Sequence, residues 1–507
     1  MTQIRVVLVG GGQLRKRPEL DGPFEPTEPS RLMAQALERA ARDAGLPELC
    51  RDADFIGCVQ PLSWGYEDLP GRVAEHLGAR PAAGSETETG GEVPVQLLNE
   101  MAGLIRAGDV RIALLAGAEA MHGRRRAKRE GISLEDWAPR GLEQRKLLQG
   151  VRPMSNELEL RHGLMLPTQL YPLYENALRA EAGRSIEAHQ IYLSELMERF
   201  SEIAARNPYA WFPEPRSAAQ IRTLSERNRM IYFPYPKLMN AILEVDQAAG
   251  LIVMSAAEAD RLGIPPQQRV TFLGGAKSVD AWTPTERIDF VTSPAYKAAA
   301  EQTLQHANLE LDDVDLFDFY SCFPSAPQLA MKALGLRSDD PRGLTVTGGL
   351  AHHGGPGNNY SMHALVNMAE RLRSTDARLG WVSALGMTAT KHAMCALSSD
   401  PARADAAEGD ASVVVLPPEK CNGPELADAP EGPGRIETYT VEYERDNRPK
   451  RSIIVVRLAD GRRSVAHGET TDAAFARLVE SEGVGLRGRV IPGQDGAPNQ
   501  FILADPR

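Results

Sequence analysis

The sequence predicts an α/β protein of two similar halves, with a helical insertion in the first half and a small β-domain at its C-terminal end. Three observations carry this. A βαβ rhythm fills residues 1–122 and returns from residue 230, an Arg- and Glu-rich helical stretch separates the two, and short strands follow residue 434. With 507 residues the chain exceeds one simple core, so several structural units are expected.

Ile4 to Val9 is a short apolar run that reads as a buried strand, with Gly10-Gly11-Gly12 as its turn. The GxGxxG spacing is absent and no Walker lysine follows, so these glycines are not expected to cradle phosphate. Pro29 to Ala44 has helical spacing through Leu32, Met33, Ala36 and Leu37. Gly90-Gly91 then turns the chain into a helix, for which Pro94 suits the first turn and Leu97, Leu98, Met101, Leu104 and Ile105 form a buried stripe. Gly108-Asp109 ends that helix, and Arg111 to Ala116 is a strand closed by Gly117-Ala118-Glu119-Ala120.

Residues 123–229 read as the insertion, with loops such as Leu166 to Pro172. Strand and helix then alternate: Leu251 to Ser255, a helix near Ser293 to His306, a strand near Val314 to Phe319, a helix after Ser325, and a strand at Leu379 to Ala384. Cys395 lies in an apolar, helix-like run. The first half takes residues 1–122 and 230–272, the second half 273–420, and a Pro- and Gly-rich linker 421–433. Residues 434–507 hold five strand patterns, the Asp460-Gly461 hairpin signal and one amphipathic helix, Thr471 to Glu480. That set predicts a small, OB-like barrel.

A net charge of −11 and a pI near 5.6 argue against nucleic acid and membrane surfaces as partners. The basic run Arg124-Arg125-Arg126, Lys128 and Arg129 reads as a solvated loop. Five scattered cysteines without a CxxC predict neither a metal site nor a disulfide framework. The N-terminus reads as a strand rather than a signal peptide, and no apolar run reaches the ~20 residues that span a bilayer. A reducing cytoplasm is the expected compartment.

Several stretches occur in an informative order: Gly117-Ala118-Glu119-Ala120, Asn228 to Asn240, Val245-Asp246-Gln247-Ala248-Ala249, Asp315 to Phe323, Gly348-Gly349-Leu350, and Gly354 to Tyr360. Together they resemble the thiolase superfamily over about residues 1 to 420, in particular its thiolase-like type 1 branch with an added C-terminal domain. The resemblance implies two βαβαβαββ halves in a five-layer αβαβα core with an inserted loop domain. It also implies an acetyl-CoA acetyltransferase-like acyltransferase of lipid metabolism. Acyl-CoA would be the partner, as substrate or ligand, with no other cofactor and no metal, in a monomer or homodimer.

In true thiolases a cysteine at the N-terminus of the buried helix takes the acyl group. The matching position here is Gly91 or Glu92, and no cysteine lies between Cys58 and Cys322. The family's oxyanion Asn or His matches Tyr320, its GHP histidine matches Gly355 within Gly354-Gly355-Pro356, and its CxG cysteine matches Ala384. The pocket is expected to be kept while the chemistry changes. Tyr320 and His353 are the candidate catalytic residues, with His352 a lesser one. Gly91, Gly354, Gly355, Asn358, Asn359 and His392 are the candidate substrate-binding residues, His392 lying on a loop past the last strand. Tyr171, Tyr174 and Glu175 are candidates for the pantetheine path. The resemblance also leaves open retro-aldol cleavage of a β-hydroxyacyl-CoA, or CoA-ester binding without catalysis.

Overall fold

The structure, a computed structural model, describes residues 4–137 and 152–504. Its layering starts from strand β1 (Val6–Arg15), in which Val6 and Leu8 join one buried apolar cluster while Val7 and Val9 join another. A strand apolar on both faces has to be covered on both faces. The first half continues with α1 (Pro29–Asp43), β2 (Phe55–Val59), α2 (Leu69–Leu77), β3 (Ala83–Glu86), α3 (Val93–Ala107), β4 (Ile112–Ala120) and α4 (Met121–Glu130). Next come α5 (Pro167–Glu181), α6 (Ile186–Arg206), a hairpin of β5 (Met230–Tyr232) and β6 (Tyr235–Pro236), β7 (Asp246–Ser255) and β8 (Val270–Val279). The second half adds α7 (Pro294–Ala307), β9 (Leu316–Phe319), α8 (Ser325–Leu334), α9 (Tyr360–Ser374), β10 (Leu379–Gly386), β11 (Lys391–Ser398) and β12 (Ala411–Val414).

The strands run in the order β3-β2-β4-β7-β1-β8-β11-β10-β9, with β12 beside β8. The halves join between β1 and β8, where Val7 pairs with Thr271 and Leu8 with Val270. Helix α1 covers the outer face of the first half and α7 that of the second, while α3 and α9 lie between the halves and touch strands of both. The result is the five-layer αβαβα arrangement.

Several local readings are corrected. Strand β1 runs through Gly10-Gly11-Gly12 instead of turning there, because α1 packs so close that a Cβ on Gly10 or Gly12 would overlap the backbone oxygens of Ala40 or Ala36. Strand β4 likewise continues through Gly117 to Ala120. The basic run is a helix, α4, supported by an Arg126–Glu130 pair at 2.8 Å, four residues apart. Leu166 to Pro172 is the cap and first turns of α5, not a loop. Cys395 is buried as expected but in strand β11; short apolar runs buried on all sides do not reveal their period.

The C-terminal strands β13 (Gly432–Tyr443), β14 (Pro449–Leu458), β15 (Arg463–Gly468), β16 (Arg487–Ile491) and β17 (Gln500–Leu503) close into a five-stranded barrel. Strand β13 pairs with both β14 and β16, β15 and β17 run parallel, and α10 (Asp472–Val479) connects β15 to β16, which is OB-like connectivity. Closure leaves no free edge. The barrel is docked on the body. Asn176 Nδ2 donates to Tyr439 O at 2.9 Å, Thr438 Oγ1 donates to Leu173 O, and Ile453, Val455 and Val465 join the central core. The connecting residues are held on both sides, Gly423 N donating to Glu286 O and Arg463 N to Glu425 O.

Candidate active site

Four chain segments meet at the N-terminus of α3. Gly90 and Gly91 precede the helix, Tyr320 follows the last residue of β9, Asn358 and Asn359 precede α9, and Leu385 and Gly386 end β10. Backbone bonds fix the segments: Tyr320 N donates to Ser383 O at 3.1 Å, Gly355 N to Ile242 O at 2.8 Å, and Ser361 Oγ to Gly91 O at 2.6 Å.

Gly91 decides the shape of the centre. A Cβ there would overlap Tyr320 Oη and come within 2.6 Å of Leu385 O. The phenol therefore occupies the space that a side chain at the head of the helix would need. Tyr320 is 8% exposed, packs edge-on against Tyr360 at 5.5 Å, and its hydroxyl has no hydrogen-bond partner among the described residues. Burial, helped by nearby Cys322 and Glu92, pushes its pKa well above the usual tyrosine value. The phenol therefore keeps its proton at neutral pH and can offer it in a hydrogen bond.

The asparagines are engaged in the scaffold. Asn358 Oδ1 accepts from Gly90 N at 3.0 Å while its Nδ2 donates to Gln60 O at 2.8 Å. Asn359 Nδ2 donates to Gly117 O at 2.7 Å. Together they tie the second half to the first. Gly354 has φ of 109° and is pressed against Gln247; Gly355 lies against Leu350 and Leu243.

Among the described residues no hydrogen bond joins His352, His353 or His392 to the Tyr320 hydroxyl. His353 is fully buried, its Nδ1 3.4 Å from Gly354 O and its ring 5.8 Å from Tyr360. Burial pushes its pKa down to about 4, too low for an effective base at neutral pH. His352 Nδ1 accepts from Arg216 at 3.2 Å, and burial lowers its pKa to about 3. His392 sits inside β11, not on a loop; its Nε2 lies 3.2 Å from Asp280 and 3.1 Å from Ser293 Oγ. Tyr171 and Tyr174 spend their hydroxyls on Met387 O and Thr388 O, and Glu175 is buried among His189, Tyr235 and Gln328. Burial raises the Cys322 thiol to about 12, so it keeps its proton at neutral pH.

Sequence reasoning passed over Glu92 and Lys391 as a pair. Lys391 Nζ lies 2.6 Å from Glu92 Oε1 and donates to Thr89 O at 2.8 Å. A glutamate directly after the glycine at a helix head was the available signal. Among the described residues no group of three or more His, Cys, Asp or Glu is placed to hold a metal.

A cleft of about 710 Å³ opens beside the Gly355 turn, lined by Ile242, Ala351, the cations Arg216, Arg227 and Lys237, and the carboxylate Glu214. No helix among the described residues is long and apolar enough to cross a membrane.

A family model described as the thiolase-like protein type 1 additional C-terminal domain matches residues 419–496. A crystal structure of a monomeric SCP2-thiolase-like protein type 1 from Mycobacterium smegmatis is 32% identical, with a TM-score of 0.80, over 98% of this chain and 99% of that one. The chain belongs to the thiolase-like protein type 1 family. This thiolase-like protein is also 30% identical to an acetyl-CoA acetyltransferase of Schizosaccharomyces pombe over 141 residues, which is 28% of the chain and 33% of that enzyme. The solved structure of an aldolase, Ltp2-ChsH2(DUF35), shares the fold with a TM-score of 0.60 at 18% identity, over 78% of this chain and 98% of that one.

Proposed function

We propose that the protein binds a CoA thioester and acts on it without an acyl-enzyme, the Tyr320 phenol donating to the thioester oxygen. The observation that carries this is the unpartnered phenol beside Gly91, at the positive end of a 15-residue helix. A cysteine in that place would attack the carbonyl; a phenol with a raised pKa stabilises negative charge on the carbonyl oxygen instead. The cleft supports the substrate class. Three cations suit the phosphates of CoA, and a volume of about 710 Å³ is within the usual range for ligand sites. In this reading acyl-CoA is the partner of a cytoplasmic monomer or homodimer.

The test combines calorimetric titration of acetyl-CoA and longer acyl-CoA thioesters with intact-mass analysis. Saturable binding, weakened in Arg227→Ala and Lys237→Ala, without an acyl adduct, is the expected result. A stable adduct on residues 85 to 100, or binding indifferent to both substitutions, would reject the proposal. Retro-aldol cleavage of a β-hydroxyacyl-CoA is the second reading, favoured by the same phenol. It further needs a base, a role for which Tyr320 is poorly suited because its proton is held so firmly.

A further inference from the structure

The two glycines flanking the centre make room for one carboxylate. Glu92 is 1% exposed, and a Cβ on either Gly90, from the first half, or Gly386, from the end of β10, would overlap its Oε2. Two backbone segments from different halves thus approach closely around a single acidic side chain. The carboxylate stands one residue from Gly91, against which the Tyr320 hydroxyl rests.

Its electrostatic surroundings are defined from each side. Lys391 and His392 face it from β11 and Tyr320 from the end of β9. The ion pair with Lys391 is close, at 2.6 Å, but neither Glu92 oxygen makes a well-directed hydrogen bond with any described donor. Other buried carboxylates of this protein have both oxygens bonded: Glu119 accepts from Leu62 and Ser63, and Glu159 from Thr285 and Asn156. A buried carboxylate that leaves its acceptor capacity open calls for a partner. Burial raises its pKa and Lys391 opposes the rise, a balance suited to a group that takes up and releases a proton.

Building on thioester binding at this centre, we propose that Glu92 is the base paired with Tyr320, and that Lys391 keeps it ionised. Glu92 removes a proton from the carbon next to the thioester carbonyl. The C–H electron pair becomes the carbon–carbon double bond of an enolate, and the carbonyl π pair moves to oxygen, where Tyr320 donates. Return of the proton regenerates the thioester, so no other reactant is consumed. Glu92 is a catalytic residue in this scheme, and Lys391 is a positioning residue that acts through it.

The scheme is tested by incubating acetyl-CoA or butyryl-CoA with the protein in D2O and measuring deuterium at the α-carbon by mass spectrometry. Wild-type protein should catalyse exchange. The isosteric Glu92→Gln variant, checked for folding by thermal melting, should lose about 10²- to 10⁴-fold of the rate. Lys391→Met should move the acidic limb of the exchange rate upward by about one pH unit or more, which a merely structural lysine would not do. Exchange surviving in Glu92→Gln, or an unmoved limb in Lys391→Met, overturns the assignment and leaves thioester binding standing. Thioester binding without wild-type exchange does the same. Absence of thioester binding removes both readings at once.

Discussion

The two loops that meet above α3 are satisfied to very different degrees. In the loop before α9, three of the four asparagine amide atoms bond backbone, at Gly90, Gln60 and Gly117, and only Asn359 Oδ1 lacks a partner among the described residues. At the end of β9 and the head of α3, a phenol has no partner among the described residues and a buried glutamate has one poorly directed lysine. The first loop is scaffold, since its amides join the two halves. The second retains unspent hydrogen-bonding capacity, and native proteins seldom bury such groups unless something else uses them. The two clusters thus differ in how much hydrogen-bonding capacity they leave unspent.

Tyr320→Phe puts the largest strain on this contrast. It should cut turnover or α-proton exchange by about 10²- to 10⁴-fold with little change in thioester affinity. Because the hydroxyl bonds to no described residue, thermal melting should register almost no loss of stability. A large stability loss with activity intact would move Tyr320 into the scaffold.

Gly91→Cys restores the residue type of the true thiolases but not the space for it. Overlap with Tyr320 and Leu385 should cost about 1–3 kcal/mol in denaturant titrations, and intact mass should show no acyl adduct with acetyl-CoA. Tyr320→Ala should cost less in the Gly91→Cys background than in the wild type, because the cysteine then refills part of the space the phenol leaves. Simple additivity of the two losses would mean that the phenol does not fill that space.

Asn359→Ala should behave in the opposite sense to Tyr320→Phe. Losing the amide's bond to Gly117 O in a buried setting should lower stability by about 1–3 kcal/mol. Per folded molecule, thioester affinity should be nearly unchanged.

The smallest effect expected is on the pH dependence of stability. Burial raises Asp246 and Glu159 to about 7, and Glu119 and Asp318 to about 6. These folded carboxyls take up protons before the unfolded ones, so they add stability as pH falls below 7. Burial lowers His162 and His353 to about 4, His352 to about 3, and His363 well below the ordinary value. Unfolded imidazoles protonate near 6.5 while these stay neutral, so they remove stability as pH falls below that value. With Glu92 also raised and His122 and His467 also lowered, five carboxyls oppose six histidines, and urea melts should change little between about pH 6.5 and 5. His352→Gln deletes one opposing group, so relative to the wild type that variant's stability should gain on acidification by up to about 1.4 kcal/mol per pH unit. A variant as level as the wild type would show that His352 titrates normally.

Composition, apolar periodicity and motif order were enough to determine a two-halved α/β chain with an added barrel, because strands buried on both faces and barrel strands each leave their own pattern in the residues. The same text carried Tyr320 and Gly91 to the centre and showed that no cysteine stands at the helix head. It did not separate loop from element at Gly10 to Gly12, Leu166 to Pro172 or His392. There the deciding force was a neighbour distant in sequence: α1 against the glycines, the barrel and insertion against α5, Asp280 against the imidazole. Only the tertiary structure decided that the asparagines are bonded away and that His353 is sealed off. Only it made Glu92 and Lys391 neighbours, although almost three hundred residues separate them, because strand register in the second half sets where a lysine on β11 meets the head of a helix from the first.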